Sequence, residues 1–146
     1  MNSAPEPVFF LDRTLDTTLV REALQAQPDT FLRHADLFEP TTPDAEWLPA
    51  VTARAGFVLT QERRLHYNPL ELRALLASGS GTFILVAKGL TGTGVAECLV
   101  RALPRLRRFV GRHPRPFVAK VYVDGSVQLV SPPSSEAKEA PGKGDK

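Results

Sequence analysis

The chain has 146 residues, of which 42% are hydrophobic and 23% are charged, a balance typical of one globular domain rather than of a disordered or fibrous chain. No apolar run approaches the ~20 residues that a membrane-spanning helix needs, and the first residues lack the basic end and apolar stretch of a signal peptide, so we expect a cytoplasmic protein. The single cysteine, Cys98, excludes an internal disulfide and a cysteine-based metal cluster, and the three histidines lack zinc-ligand spacing. Any metal chemistry must therefore use oxygen ligands.

The net charge of +2 conceals an uneven distribution along the chain. Residues 1–49 carry three basic and nine acidic side chains. Residues 50–130 carry twelve basic and four acidic side chains, and the last sixteen residues carry three of each sign. The acidic part could gather carboxylates around a cation, and the basic part could hold a polyanion. Folding that mixes both parts into one patchy surface is the alternative, and it requires no function.

The first predicted elements form a strand–helix–strand unit. Val8–Leu11 is a short apolar run that predicts a buried strand ending at Asp12. Apolar residues then recur at helical spacing over residues 16–26, which predicts a helix. A short second strand is predicted over residues 31–34, followed by a polar loop over residues 35–41.

A second helix is predicted from the capping signal at residues 42–44, where a threonine can cap, a proline suits the first helical position and Asp44 lies near the positive end of the helix dipole. This helix should run to about Arg54. The next strand, over residues 57–60, places Glu62 just beyond its end.

The rest of the chain alternates in the same way and ends in a hairpin. Its predicted elements are a helix over residues 68–77, a strand over 82–87, a long helix over 91–112 and strands over 117–123 and 127–130. The turn at Asp124-Gly125 is the strongest hairpin signal in the chain. This order predicts an α/β fold, a three-layer α/β/α sandwich with a mostly parallel sheet and a C-terminal β-hairpin, over residues 1–130. Residues 131–146 are predicted to be a disordered polar tail.

Three carboxylates are candidates for a metal site. Ligands of open parallel sheets bind at the carboxyl ends of the strands, where Asp12 and Glu62 are predicted to lie, and Asp44 begins a helix that leads to the same edge. Oxygen ligands of this kind suit Mg²⁺ or Mn²⁺, which can orient a water molecule for attack on a phosphodiester. Each residue also has a structural alternative, since Asp12 could cap a turn, Asp44 could serve only the helix start and Glu62 could pair with a neighbouring arginine.

Arginines form two clusters that could bind an RNA backbone, because the planar guanidinium matches phosphate oxygens. One cluster of six lies between residues 101 and 115, and a smaller one follows Glu62. The candidate RNA contacts are Arg63, Arg64, Lys88, Arg105 and Arg108. The helical spacing of the larger cluster describes the solvated face opposite the apolar stripe equally well, so both interpretations stay open.

Five segments, in their order and spacing over residues 8–130, resemble a known family. They are residues 9–13 (FFLDR), 42–48 (TPDAEWL), 58–64 (VLTQERR), 68–71 (NPLE) and 116–122 (PFVAKVY). Together they resemble the compact PIN-like domain of VapC-type toxins. The resemblance implies a Mg²⁺- or Mn²⁺-dependent ribonuclease with Asp12, Asp44 and Glu62 as catalytic metal ligands. Where the third strand of the family tends to continue Lys-Asp, this chain has Gln61-Glu62, which lengthens one ligand by a methylene and removes a lysine that could contact phosphate.

The leading hypothesis is therefore a metal-dependent endoribonuclease that acts as the toxin of a toxin–antitoxin pair. Its expected partners are RNA, an antitoxin protein and a second copy of the chain, and no association with a membrane is expected. The alternative is a catalytically inactive PIN-like module that binds RNA or a protein partner through its basic helix.

Overall fold

The computed structural model describes residues 8–39, 41–43, 46, 50, 56–61, 73, 76–77, 79–86 and 89–130. Its elements are β1 (Val8–Leu11), α1 (Thr18–Gln25), β2 (Thr30–Arg33), α2 (His34–Leu37), β3 (Gly56–Thr60), β4 (Gly81–Leu85), α3 (Gly92–Arg112), β5 (Phe117–Val121) and β6 (Val127–Val130). Each strand predicted from the sequence is present, with ends that differ by a few residues. Most of the predicted helices over 42–54 and 68–77, and all of the predicted tail over 131–146, lie outside the described residues.

The strands form one six-stranded sheet in the order β2-β1-β3-β4-β5-β6. Every neighbouring pair is parallel except β5 and β6, which are antiparallel. This arrangement confirms the predicted α/β fold with a mostly parallel sheet and a C-terminal hairpin. Because the parallel strands all point the same way, their carboxyl ends share one edge, here called the carboxyl edge, and their starts share the opposite edge, here called the amino edge.

Both faces of the sheet are covered, which explains why the central strands lack an alternation of apolar and polar residues. On one face, α1 and α3 pack against each other and against alternate strand residues such as Phe9, Leu59 and Phe83. On the other face, Phe10, Val58, Ile84 and Val118 form a second cluster that packs against α2 and neighbouring residues. The apolar stripe of α3 faces the core: its buried members are Val95, Cys98, Leu99, Ala102, Leu103, Leu106 and Phe109, and Val110 beside them is half-buried.

The short helix α2 corrects the polar loop predicted from Ala35 onward. His34 is buried, and its ring lies 6.1 Å from the Phe10 ring and 5.5 Å from the Phe38 ring, measured between centroids. Phe38 also contacts Phe10 edge-on at 6.1 Å. These ring contacts order one helical turn after β2, and they depend on a partner in another strand that local composition does not reveal.

The predicted hairpin turn at Asp124-Gly125 is confirmed. Gly125 has a φ of +88°, a conformation that a side chain would disfavour. The backbone N–H and the hydroxyl of Ser126 donate to Asp124 Oδ1 at 2.9 and 2.7 Å. These hydrogen bonds favour the carboxylate form and lower the pKa of Asp124 below its ordinary value.

Among the described residues, no helix combines the length and the apolar character needed to cross a membrane.

Candidate active site

Asp12 lies at the point of the carboxyl edge where the order of the strands reverses. The chain passes from β1 to β2 on one side and reaches β3 on the other side of β1. In open α/β sheets the crevice between two such strands is the usual place for a ligand. Asp12 directly follows β1, and Thr60 is the last residue of β3, so this crevice is flanked by a carboxylate and a hydroxyl.

The Asp12 side chain is held in place by two threonines. The hydroxyl of Thr60 donates to Asp12 Oδ2 at 2.8 Å, and the hydroxyl of Thr14 donates to the same oxygen at 3.1 Å. The Asp12 backbone N–H donates to the Leu59 carbonyl at 3.0 Å, and the Gln61 N–H donates to the Thr14 hydroxyl at 2.9 Å. The loop after β1 is therefore fastened to the end of β3, and one carboxylate oxygen of Asp12 is fixed.

Burial adds to the effect of these contacts. Asp12 is 6% exposed and Thr60 is 2% exposed, so water cannot replace the hydrogen bonds freely. The two hydroxyls act on Oδ2, which leaves Oδ1 as the carboxylate oxygen available to another group. Carboxylate and hydroxyl oxygens are hard donors, and this described part of the site suits a cation such as Mg²⁺ or Mn²⁺.

The other predicted metal ligands, Asp44 and Glu62, lie outside the described residues, as do Arg63, Arg64 and Lys88. Within the described part of the chain, no three acidic, histidine or cysteine side chains come together as a metal-binding group. Of the three predicted metal ligands, Asp12 is the one that lies among the described residues.

A second carboxylate, Asp16, lies four residues after Asp12 and is paired with arginines. Its side chain is only 7% exposed, and Arg33 Nε donates to Asp16 Oδ1 at 2.8 Å. Arg21 Nε lies 3.6 Å from the same oxygen, and Arg33 also contacts the exposed Asp36 at 3.3 Å. The hydrogen bond to Asp16 raises the pKa of Arg33 further. Asp16 thus orients two cations at the carboxyl edge, at the end of β2.

A cavity of about 350 Å³ lies beside this ion-pair network, between α1 and β2. Its apolar lining includes Leu11, Leu24 and Phe31, and its polar lining includes Arg21 and Arg33. Most of the lining is polar and includes two carboxylates, Asp29 and Asp36, besides the two arginines. The volume is at the lower end of the range for small molecules. The cavity shares the carboxyl edge with Asp12 through Leu11, the residue before it.

The arginines of α3 differ in their surroundings. Arg101 donates to the Val123 carbonyl at 2.6 Å, and Arg105 donates to the Asp124 carbonyl at 3.0 Å. Both therefore fasten the hairpin turn to α3, a structural role that the helical spacing did not reveal. All three of these arginines are exposed, but Arg108 forms no hydrogen bond or ion pair with another described residue.

Arg107 has a third kind of environment. Its Nε donates to Asp29 Oδ2 at 2.9 Å, and a second N–H donates to Oδ1, so the contact is bidentate. The Asp29 side chain is 1% exposed. This pair, buried on the aspartate side and half-buried on the arginine side, joins α3 to the residue that precedes β2.

Three contributors to the site were missed from the sequence: Thr14, Thr60 and Asp16. A hydroxyl residue that ends an apolar strand, as Thr60 does, is a detectable signal. The D-x-T pattern of residues 12–14 is a second signal. Neither pattern by itself shows that both hydroxyls meet the same carboxylate oxygen, because that contact joins residues 48 positions apart.

A family model described as PIN like domain matches residues 7–87, more than half of the chain, and the match includes β1 to β4 and the Asp12 site. The chain belongs to this PIN-like domain family. PIN-like domains are typically nucleases, which are hydrolases, and PIN nucleases commonly use divalent metal ions. No curated protein and no solved structure matches the chain.

Proposed function

We propose that the protein is a metal-dependent endoribonuclease of the VapC type that hydrolyses RNA phosphodiester bonds, and that it is the toxin of a toxin–antitoxin pair. The observation that carries the proposal is the buried Asp12 carboxylate, held by two hydroxyls at the strand-order reversal of a PIN-like sheet. A buried carboxylate with one oxygen fixed is a preorganised ligand, and preorganisation at the carboxyl edge is what a catalytic centre requires.

In this proposal Asp12 holds a Mg²⁺ or Mn²⁺ ion together with Asp44 and Glu62. Such an ion supplies an activated water and neutralises charge on the leaving oxygen. The contribution of Thr14 and Thr60 is to keep Asp12 Oδ2 engaged, so that Oδ1 is presented without a search through rotamers. This ordering lowers the entropy that would be lost on binding.

Arginines and a lysine then position the RNA. In the sequence, β3 is followed shortly by Arg63 and Arg64, and β4 is followed shortly by Lys88. In this proposal the three side chains contact phosphates next to the cleaved bond. The cavity between α1 and β2 is not assigned to a phosphate, because Arg21 and Arg33 are already paired with Asp16 and the same lining carries Asp29 and Asp36.

The direct test is the cleavage of a structured RNA in Mn²⁺, with wild type compared with Asp12→Asn. We expect the loss of the Asp12 charge to reduce cleavage by at least a hundredfold. Glu97→Gln, which removes one charge from an exposed position on α3, is the matched control and should cleave like wild type. Equal cleavage by wild type and Asp12→Asn would refute the role of Asp12. RNA that is bound but never cleaved would favour the inactive binding module.

The toxin role requires a separate experiment in cells. Induced expression of the wild-type chain in a bacterial host should arrest growth, whereas Asp12→Asn expressed to the same level should not. Co-expression of the protein encoded beside it should restore growth if that protein is the antitoxin. Growth arrest that persists with Asp12→Asn would separate toxicity from the proposed nuclease centre.

A further inference from the structure

Three arginines at or just beyond the end of α3 form no hydrogen bond or ion pair with another described residue. Arg101 and Arg105 bind the hairpin carbonyls, and Arg107 binds Asp29. The remaining three are Arg108, Arg112 and Arg115, which are all exposed, and none of them forms an ion pair with an acidic residue of the described chain. These three residues are called the basal arginine surface below.

The basal arginine surface lies toward the amino edge of the sheet, away from Asp12. The helix α3 leaves the carboxyl end of β4 and returns to the start of β5, so its C-terminal turn, with Arg112, lies at the amino edge. The Arg115 guanidinium lies over the Phe57 ring, 5.6 Å from its centroid. It also lies against Gly56, the first residue of β3, where an added Cβ would be 2.6 Å from Arg115 Nη1.

The length of β3 gives the separation between the basal arginine surface and the Asp12 site. It begins at Gly56, beside Arg115, and ends at Thr60, which binds Asp12. Four residue steps at ~3.3 Å each place the two ends about 13 Å apart. A ligand that contacts both must therefore be an extended molecule.

Fold stability accounts for this cluster only in part: the contact with the Phe57 ring stabilises Arg115 but leaves its charge without a counter-ion in the described chain. Arg108 and Arg112 are four residues apart on one helix, and like charges at that spacing are destabilising by a few tenths of a kcal/mol. A cation in the last turn interacts favourably with the helix dipole, which explains Arg112 alone. Arg108 lies a turn earlier and Arg115 lies beyond the helix, so the dipole explains neither. An extended polyanion would neutralise all three.

We propose that the basal arginine surface is a second RNA-backbone contact, which selects structured RNA long enough to reach from the carboxyl edge to the amino edge. The inference rests on the proposed ribonuclease function and specifies its substrate class. Arginine contacts to phosphate carry no base information, so this surface adds affinity and orientation for a folded RNA without choosing its sequence. Arg115 is ordered for this purpose by its contact with Phe57.

Binding can be tested without cleavage. The probe is a fluorescein-labelled RNA hairpin of about thirty nucleotides, and its affinity for the Asp12→Asn protein is measured by anisotropy in EDTA from 50 to 300 mM KCl. Adding Arg108→Gln and Arg112→Gln should weaken binding ~10-fold at low salt. It should also make the slope of log K against log salt shallower by about 2, one for each lost phosphate contact.

The matched control removes two positive charges elsewhere, with Arg73→Gln and Lys120→Gln, and should leave the salt slope unchanged. Melting curves show whether each variant is folded, and Arg115→Gln provides a third, independent test of the surface. An unchanged slope in the Arg108/Arg112 variant, or an equal loss in the control, would overturn the inference. So would failure of the parent protein to bind the hairpin.

Because cleavage is not measured in this experiment, failure of the surface and failure of the proposed nuclease can be told apart. An inactive wild-type protein that still loses binding through Arg108 and Arg112 would refute the ribonuclease and support the surface. An active wild-type protein whose Arg108/Arg112 variant keeps the salt slope would support the ribonuclease and refute the surface.

Discussion

Replacing Thr60 by valine tests whether a charged hydrogen bond fastens the active-site loop. Valine has nearly the same shape as threonine, so the substitution removes the 2.8 Å hydrogen bond to Asp12 Oδ2 and leaves no cavity. Thr60 is 2% exposed, so water does not replace the lost donor. Hydrogen bonds to charged groups contribute about 1.5–3 kcal/mol, and we expect a loss of about 2 kcal/mol in the free energy of unfolding.

The assay is urea denaturation at pH 7 followed by circular dichroism, supported by melting temperatures. A loss of about 2 kcal/mol corresponds to roughly 6 °C in a domain of this size. Thr82→Val is the matched control, because Thr82 is also a buried strand threonine, and its hydroxyl lies 3.0 Å from the neutral hydroxyl of Ser80. Loss of this neutral hydrogen bond should lower the free energy of unfolding by about 1 kcal/mol.

The comparison of the two variants decides the outcome. If Thr60→Val costs no more than Thr82→Val, the carboxylate of Asp12 is not held by a charged hydrogen bond as the structure indicates. Adding Asp12→Asn makes a further check, because the Thr60→Val cost should fall toward the neutral value once the charge is gone. If Thr60→Val costs as much in the Asp12→Asn protein as in wild type, its effect does not come from a hydrogen bond to the charged carboxylate.

Three further predictions concern single contacts. Arg107→Ala should cost about 2 kcal/mol in urea denaturation because it removes the hydrogen bonds to the buried Asp29 carboxylate, while the 34% exposure of the Arg107 side chain lets water replace part of the loss; a loss below ~0.5 kcal/mol would contradict this. Burial raises the pKa of the Cys98 thiol, so iodoacetamide at pH 8 should modify the native protein far more slowly than the urea-unfolded protein, and equal rates would show that the thiol is accessible. The hydrogen bonds from Ser126 lower the pKa of Asp124, so the Asp124 carboxylate should stabilise the hairpin above pH 3.8 and lose that contribution as the pH falls through its folded-state pKa. NMR titration should show a higher Asp124 pKa in Ser126→Ala, and an unchanged pKa would exclude the serine hydroxyl as the cause.

Local pattern determined most of the fold. The apolar runs at β1, β3 and β4 lack polar alternation because helices cover both faces of the sheet, so the runs themselves indicated a parallel α/β sheet. The apolar stripe of α3 and the Asp-Gly turn are likewise local signals of 3.6-residue periodicity and of positive φ. The short helix α2 escaped detection because its order comes from ring contacts with Phe10 in another strand.

For the site, the sequence by itself placed Asp12 after a buried strand and so at the carboxyl edge. The tertiary structure decided what surrounds it, because Thr60 is 48 residues away in sequence and comes within hydrogen-bond distance only through the pairing of β1 with β3. It also divided a uniform row of arginines into those that fasten the fold through hydrogen bonds, Arg101, Arg105 and Arg107, and those near the amino edge that form no hydrogen bond or ion pair with a described residue. Helical spacing fixes the direction of a side chain but not the presence of a partner, and partners are supplied by the packing of distant segments.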